Sequence, residues 1–310
     1  MRQETDGKSS KEKYEQFCAK AYVPVFSKPW WMDAVCGADN WDVLVIEESG
    51  CYKAAMPYFL TERDGKKLIT KATLTQNNGV LFHYPPNQKY SSRLDFEEKV
   101  IGQVCDYIES LGLDKYEQQY HYSVTNWLPF RWRGYSEMLR YTYVIEDTSD
   151  MAKVEQNFAS ELRNSIRKAE RLVKVGEDLP IEQLYEVNKM SFDRQGLSMP
   201  YSLEFLKRLD AACREHECCK SFYAYDEKGT IYSIVYLVWD EQSAYYLIGG
   251  TDPAYKSSQA SVLLIRESIR FAGQMGLKYD FEGSVIRQIE KAFRPFGGVQ
   301  KPYFRIYKEF

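Results

Sequence analysis

The same order of predicted secondary-structure elements occurs twice in this 310-residue chain, and the repeat restricts the fold more than any other feature. Each copy begins with two strands joined by a tight turn, at 41–60 and at 221–239. Gly50 and Gly229 hold the same position in the two turns, where a positive φ favours a residue without a Cβ atom. The sequence therefore predicts a β-hairpin at the start of each copy.

Further elements follow each hairpin in the same order. They are a strand that ends at proline, an amphipathic helix that ends at glycine, a second strand, an aromatic and basic turn, and a strand that closes the copy. The first copy has them at 79–85, 96–111, 113–118, 130–134 and 140–145, and the second at 244–253, 261–275, 277–282, 293–297 and 302–307. An unrelated α/β chain can give loosely similar pieces, but this many matches in one order favour duplication. We therefore expect an α/β fold with α+β mixed sheets, built as a tandem duplication of one module.

The repeat and the composition give the expected domain boundaries. The polar segment 1–13 is predicted to be a disordered tail, 14–150 an N-terminal module and 151–310 a C-terminal module. The second module is expected to begin with one helix at 154–173 that has a basic face. A hydrophobic content of 44% is enough for a core in each module.

Composition also narrows the classes of function. A net charge of −3 and a pI near 5.8 give no basic field for wrapping duplex DNA, so duplex DNA is not an expected partner. The chain has no apolar run of about 18 residues and no apolar signal segment at its start, so we expect no integral membrane segment and a cytoplasmic location. Seven Cys without a CxxC pair, together with three His, predict packed and reduced thiols and no metal site.

Three segments resemble the FemAB-like branch of the GNAT superfamily, which includes BioF2-like acetyltransferase-domain proteins. They are the basic helix 160–171, the strand and helix start at 245–252, and the strand 279–284 with the turn 293–298. The resemblance covers the chain from about Phe17 onwards and implies an N-acyltransferase made of two GNAT-like modules. It implies transfer of an acyl or aminoacyl group from acyl-CoA or aminoacyl-tRNA to a small-molecule, peptide or sugar amine, with cell-wall or polysaccharide biosynthesis as the setting.

Two departures from the family pattern leave the donor open. The superfamily's pyrophosphate loop, Gln/Arg-x-x-Gly-x-Gly/Ala, is absent from 255–261, which weakens the case for CoA. No stretch has the heptads of the coiled-coil arm that is frequent among peptidoglycan aminoacyltransferases, which weakens the case for the acceptor end of a tRNA. In either case the donor is expected as a co-substrate and not as a tightly bound cofactor. A non-catalytic scaffold or ligand-binding protein that kept the fold is the alternative function.

Three residues are candidates for catalysis. Glu282 is predicted on the same strand face as Asp280, where aromatic neighbours suit a general base. Arg294 could clamp a phosphate or carboxylate, and Tyr246 could donate a hydrogen bond to a reacting carbonyl. The structural alternatives are an ion-paired glutamate, a packed aromatic turn around Arg294 and a core tyrosine.

Four residues before the second predicted helix are expected to bind the donor, because free backbone N–H groups at a helix start attract anions. They are Lys256, Ser257, Ser258 and Gln259. Substrate contacts are expected from Asp252, and from Arg163 and Arg167, which lie four residues apart on one face of the basic helix. Helix capping and an ordinary solvated face would explain the same residues without a ligand.

Overall fold

The computed structural model describes residues 9–283 and 285–310 of the chain. The elements of the first half, in chain order, are α1 (Ser10–Cys18), α2 (Pro29–Cys36), β1 (Trp41–Glu48), β2 (Cys51–Arg63), β3 (Lys66–Thr70), β4 (Leu81–Phe82), α3 (Tyr90–Ser110), β5 (Lys115–Gln119), α4 (Leu128–Trp132) and β6 (Ser136–Ile145). Those of the second half are α5 (Met151–Gln156), α6 (Ser160–Glu170), β7 (Lys174–Glu177), α7 (Ile181–Asp193), α8 (Leu203–Glu215), β8 (Cys219–Tyr225), β9 (Ile231–Trp239), β10 (Ser243–Thr251), α9 (Ala260–Gln274), β11 (Lys278–Asp280), α10 (Arg287–Phe293) and β12 (Val299–Glu309). Short 3₁₀ turns lie at Val25–Ser27, Pro253–Ser258 and Arg294–Phe296.

The contacts divide the chain into two compact units. Unit 1 consists of Met1–Arg140 and Pro302–Phe310, and unit 2 of Tyr141–Lys301. These units differ from the predicted modules in two places, because 141–150 group with unit 2 and the final residues of β12 group with unit 1. Strands β6 and β12 therefore each contribute residues to both units.

The predicted disordered tail 1–13 is wrong in its second part, because α1 begins inside it. A capping box closes the start of this helix. Ser9 Oγ accepts a hydrogen bond from the Glu12 N–H, and the Glu12 carboxylate accepts one from the Ser9 N–H. Buried aromatic side chains then fix α1 to unit 1. Residues 1–8 lie outside the described part of the chain.

Unit 1 is a mixed sheet with helix α3 packed against it. β1 pairs antiparallel with β2, and β2 pairs antiparallel with β3 and β4. β3 runs parallel to β5, where Leu68 pairs with Lys115 and Ile69 with Tyr116. One face of α3 packs into the core of this unit, as the helical spacing of its apolar residues predicts. These residues are Val100, Ile101, Val104, Cys105 and Ile108.

The strand predicted at 79–85 is reduced to the two residues of β4. Gly79 has a φ of +105°, and a Cβ atom at this position would lie 2.3 Å from the ring of Tyr120. Because this backbone is not extended, the pairing with β2 begins only at Leu81.

Unit 2 also has mixed strand pairing, with helices on both faces. β7, β8, β9 and β10 pair antiparallel in order, β10 runs parallel to β11, and β11 pairs antiparallel with β6. Side chains alternate across β9. Val235 and Leu237 share a core with α6 and α9, whereas the Tyr236 hydroxyl donates to Asp210 of α8. We refer to these two sides of the sheet as the α9 face and the α8 face.

The closing strands of the two copies are exchanged. In the structure β6 pairs with β11 of unit 2, where Ile145 lies opposite Tyr279, and β12 pairs with β5 of unit 1, where Ile306 lies opposite Gln118. The prediction that each copy closes on its own final strand is therefore wrong, because alternation in a sequence indicates a strand but not its partner. The shared order of hairpin, helix, parallel strand and antiparallel closing strand confirms the predicted α/β tandem fold.

The exchange predicts that Ile306→Ala destabilises unit 1. Ile306 is buried in the unit 1 core, so its truncation leaves a cavity that costs about 2–5 kcal/mol of unfolding free energy. Hydrogen exchange should become faster at the amides of β5, while those of β10 keep their protection. Ile269→Ala, at a buried position of α9 in unit 2, is the matched control and should give the reverse pattern. Loss of protection confined to β10 in the Ile306 variant would contradict the exchange.

Candidate active site

Strands β10 and β11 of unit 2 stay paired over a short stretch. Their parallel pairing ends where Tyr245 lies opposite Asp280. β10 has a bulge directly after this pair, and the chain after β11 bonds to β6 instead, where the Phe281 N–H donates to the Tyr143 carbonyl. The bulge and this bond direct the two strands apart. The strand fork is defined as the residues just beyond the last pair, 246–248 and 281–282.

Tyr246 lies at the strand fork, half-buried on the α9 face. Its ring meets the ring of Phe293 edge-on, with 5.3 Å between the centroids. Its hydroxyl lies over Gly249, where a Cβ atom would come within 1.5 Å of the Tyr246 oxygen, so this position requires glycine. Burial raises the pKa of Tyr246, so the phenol stays neutral and can donate a hydrogen bond.

Asp280 is the buried carboxyl of the site, and the sequence analysis passed over it in favour of Glu282. It is 4% exposed and ends β11. Its Oδ1 accepts hydrogen bonds from the Thr142 hydroxyl and, at 2.7 Å, from the Glu282 N–H. Burial, the largest cause, raises the pKa of Asp280 to about 6.

The two sides of the fork carry different groups. Tyr279 faces α9, since its hydroxyl lies 2.8 Å from the Ser268 hydroxyl, so Asp280 projects to the α8 face. Tyr245 pairs with Asp280 and also belongs to the α8 face, where its hydroxyl donates to Asp240 at 2.8 Å. The phenol of Tyr246 and the carboxyl of Asp280 therefore reach the fork from opposite faces of the sheet.

Glu282 is not on a strand, which corrects the predicted alternation with Asp280. β11 ends before it, and its φ of +59° is in the left-handed region. The next residue, Gly283, also has a positive φ, and a Cβ atom there would lie 2.0 Å from the Tyr141 carbonyl oxygen. This close approach turns the chain out of the strand. The backbone N–H of Glu282 donates a hydrogen bond to the carboxyl of Asp280.

Arg294 lies on the surface near the fork. Its side chain is 60% exposed, and its Nε lies 3.5 Å from the Glu290 carboxylate. Glu290 in turn accepts a hydrogen bond of 2.6 Å from the Tyr143 hydroxyl. The predicted aromatic packing of this turn is present, because Phe293 and Phe296 are buried. The guanidinium thus has a carboxylate partner, and its catalytic role stays a prediction.

The segment before α9 is held mainly by its own caps. Asp252 accepts a hydrogen bond of 2.9 Å from the Ala254 N–H, and Ser258 Oγ accepts one of 3.2 Å from the Ala260 N–H. Gln259, directly before α9, has a φ of +64°. The capping alternative therefore accounts for Asp252 and Ser258. Lys256 remains exposed beside this helix start.

The predicted basic helix 154–173 consists of two helices, α5 and α6, and Arg163 joins them. Its Nη1 donates to the carbonyls of Glu155, Gln156 and Phe158, at 3.3, 3.1 and 3.0 Å. Carbonyls at the end of a helix lack partners within the helix, so a guanidinium there stabilises the turn. This structural role explains Arg163 without a substrate.

The other cations of α6 form a basic ledge, defined as Arg167, Lys168 and Arg171. All three are exposed, and in the described chain none of them lies within salt-bridge distance of a carboxylate. The nearby Glu170 is instead bound by Arg266. Lys168 Nζ donates to the Ser257 carbonyl at 2.8 Å, which places the ledge beside the start of α9. With Asn164 and Leu172, the ledge lines a surface cavity of about 410 Å³.

Other parts of the described chain offer less chemistry. A larger groove of about 1160 Å³ lies in unit 1 beside the start of α1, but it is an open surface without a buried acidic or basic side chain. Within residues 9–283 and 285–310, no cluster of three His, Cys, Asp or Glu side chains is arranged to hold a metal ion. Among the same residues, no helix is long and apolar enough to cross a membrane.

Comparisons with known proteins agree with this geometry. Residues 156–286 match the family model of the acetyltransferase (GNAT) domain. The structure of FemX superposes with a TM-score of 0.72 at 11% identity, covering 94% of this chain and 95% of FemX. The C-terminal domain of a protein described as a putative lysylphosphatidylglycerol synthetase, from Agrobacterium fabrum, superposes with a TM-score of 0.56 at 13% identity. The match covers 96% of this chain and 92% of that domain. A tandem GNAT protein from the clavulanic acid biosynthesis pathway superposes with a TM-score of 0.52 at 9% identity. The match covers 87% of this chain and 82% of that protein. No curated protein matches the sequence.

Residues 156–286 are thus similar to the GNAT acetyltransferase domain, and the whole chain has a tandem α/β fold like that of FemX. The predicted family resemblance is thus confirmed, with the structural likeness at these identities concerning the fold.

The buried Asp280 predicts an unusual pH dependence of stability. Because burial raises its pKa from 3.8 to about 6, ionisation costs folding free energy, and this cost sets in as the pH rises through that interval. Asp280→Asn keeps an oxygen that can accept the hydrogen bonds from the Thr142 hydroxyl and the Glu282 N–H, and it removes the free-energy cost of ionisation. Its unfolding free energy, measured by urea titration, should exceed that of the wild type by about 3 kcal/mol above pH 7 and approach it near pH 4.

Asp226→Asn is the control with the opposite sign. Hydrogen bonds from the Thr230 N–H and other turn groups lower the pKa of the half-buried Asp226, so its carboxylate stabilises the turn above the normal pKa of aspartate. That variant should lose stability as the pH rises. If the difference in unfolding free energy between the wild type and Asp280→Asn does not change with pH, Asp280 is not desolvated.

Proposed function

We propose that this protein transfers an acyl group from an acyl-CoA to an amine at the strand fork of unit 2. The observation that carries the proposal is the pair of groups at the fork, a neutral phenol on one face and a buried carboxyl with a pKa of about 6 on the other. Acyl transfer to an amine needs a hydrogen-bond donor for the carbonyl and a base for the ammonium proton. Tyr246 and Asp280 supply these two functions.

In this mechanism the two substrates approach the strand fork from opposite faces of the sheet. The donor lies on the α9 face, and its thioester carbonyl accepts a hydrogen bond from Tyr246. The amine approaches from the α8 face, and its nitrogen attacks the carbonyl carbon. The C–N bond forms, the C–S bond breaks, Asp280 takes the proton of the amine, and the CoA thiolate leaves and is protonated. A small-molecule, peptide or sugar amine can act as the acceptor.

The basic ledge supports a donor that carries phosphates. Arg167, Lys168 and Arg171 provide positive charge that no carboxylate of the described chain neutralises. The ledge lies beside the start of α9, on the same face as Tyr246. CoA carries several phosphates, and a donor held in this way leaves after each turnover as a co-substrate.

Aminoacyl-tRNA is the second candidate donor, and one observation favours it. The segment 255–261 contains no glycine that would let a pyrophosphate approach the backbone, and Ser258 Oγ already accepts a hydrogen bond from the Ala260 N–H at the start of α9. A ledge on an exposed helix would then contact the phosphates of a tRNA acceptor end instead. A protein that binds such a donor without turnover would be the non-catalytic alternative.

The pH profile tests the assignment of the base. With Asp280 as the base, kcat/KM should fall as the pH drops below about 6, because the carboxyl becomes protonated. Asp280→Asn should lower kcat about 10²–10⁴-fold and remove this limb of the profile. Tyr246→Phe should lower kcat and leave the limb in place. An unchanged limb in the Asp280 variant would assign the proton transfer to another group.

The donor is tested by neutralising the ledge. The triple change Arg167→Gln, Lys168→Gln and Arg171→Gln should raise KM for acyl-CoA about tenfold or more, because each exposed charge pair contributes about 0.5–1 kcal/mol. KM for the phosphate-free acyl-pantetheine should not change. Lys228→Gln, at an exposed turn of unit 2, is the control. Turnover with aminoacyl-tRNA and none with acyl-CoA would select the second donor, and binding of either without turnover would favour the non-catalytic alternative.

A further inference from the structure

The strand fork is closed on its α9 face by aromatic rings. Tyr246 and Phe281 are the first residues beyond the last β10–β11 pair, one on each strand. The ring of Phe293 lies between them, with its centroid 5.3 Å from that of Tyr246 and 5.2 Å from that of Phe281. Phe296 packs behind Phe281 at 5.6 Å. Phe293 is 6% exposed, so it fills the space that the diverging strands create.

The backbone around Phe293 is fixed at both ends of its segment. Gly283 and Gly297 have φ of +62° and +74°, and Cβ atoms at these positions would lie 2.0 Å and 2.8 Å from the carbonyl oxygens of Tyr141 and Asn157. The Pro295 carbonyl accepts a hydrogen bond of 2.9 Å from the Ala159 N–H. These contacts tie the segment to neighbouring backbone, so the ring is held in the fork by the fold.

The position of this ring limits the room for an acyl group. A donor whose phosphates lie on the basic ledge follows the α9 face to the fork, so its acyl group ends against Tyr246, Phe281 and Phe293. We infer that Phe293 determines acyl-chain length and restricts the enzyme to the shortest acyl groups. This inference rests on the proposed function and names the donor class more narrowly, as an acyl-CoA with an acetyl or similarly small acyl group.

The restriction follows from packing energetics. Each methylene of a longer chain would have to displace a ring that already has close neighbours, and overpacking of a filled core is destabilising. One methylene in a tight pocket changes specificity by about 10–200-fold. The transfer itself is the same for every chain length, because the C–N bond forms and the C–S bond breaks at the same carbonyl. Chain length should therefore act on specificity and not on the protonation steps.

The test compares acetyl-, butyryl-, hexanoyl- and octanoyl-CoA with one amine acceptor. The wild type should lose kcat/KM steeply between acetyl and hexanoyl, by about 100-fold or more. Phe293→Ala should raise the hexanoyl-to-acetyl ratio of kcat/KM at least about tenfold. Phe293→Leu removes less of the core and should give an intermediate hexanoyl-to-acetyl ratio. It serves as the test if the alanine variant does not fold.

Phe271→Ala is the matched control for loss of packing. Phe271 lies on α9 in the same core, where its ring packs against Trp239 at 5.3 Å and Phe222 at 5.9 Å, and it has no ring contact with the fork residues. It should lower stability without changing the chain-length ratio. A ratio that moves equally in both variants would mean that general loosening, and not the Phe293 ring, sets the limit.

A binding series separates this inference from the proposed function. S-ethyl, S-butyl and S-hexyl thioethers of CoA cannot be cleaved, and calorimetry gives their affinities without turnover. The wild type should bind the ethyl form more tightly than the hexyl form, and Phe293→Ala should reduce or reverse the difference. Absence of turnover with every acyl-CoA would overturn the proposed function, while the binding series would still decide the role of Phe293. Equal wild-type affinity for all three thioethers, or no affinity for any of them, would overturn the inference.

Discussion

The early end of the β10–β11 pairing is the constraint on which the candidate site depends. Two parallel strands that stayed paired would bury their edges in a ladder and leave no room for a ligand. In unit 2 the bulge of β10 and the bond from Phe281 to β6 separate the strands directly after the Tyr245–Asp280 pair. Helix α7 fixes the far side of β10, since a Cβ atom at Gly250 would lie 2.9 Å from the Cα of Asn188. The fork is therefore a feature of the backbone, which the aromatic side chains then fill.

The corresponding place in unit 1 is filled by its own chain. β3 and β5 also run parallel over a short stretch, and they also separate after it. The loop that follows β3 returns to the gap, where the Gln119 side chain donates to the Gln76 carbonyl at 2.8 Å and the Asn78 N–H donates to the Gln119 carbonyl. Polar bonds of this kind are costly to leave unmade in a buried place, so the loop is held there. The duplication kept the fold in both units, and the site chemistry described above belongs to unit 2.

Local periodicity was sufficient to predict many elements and failed where distant contacts decide. The helix predicted at 261–275 from its apolar spacing is α9, Ala260–Gln274, and both hairpins follow from strands around Gly50 and Gly229. The exchange of β6 and β12 could not be predicted, because alternation does not choose among strands of equal pattern. Glu282 was misplaced because its positive φ depends on the close contact of Gly283 with Tyr141. The structural role of Arg163 could not be predicted, because its acceptors, the carbonyls at and after the end of α5, are available only if one predicted helix breaks into two.

Two of the buried charged residues of unit 2, Arg266 and Asp280, show how an ion-paired charge differs from a reactive one. Arg266 is surrounded by Glu155, Glu170 and Glu267, so its desolvation is offset by opposite charge. The hydrogen bonds that reach Asp280 within the described chain come from neutral groups, the Thr142 hydroxyl and the Glu282 N–H. These hydrogen bonds lower the pKa of Asp280, but burial raises it by more, so the net shift is upward. Burying Asp280 as a carboxylate costs folding free energy, so a purely structural role does not explain it well. Its pKa of about 6 at the edge of the strand fork is the property that a general base requires.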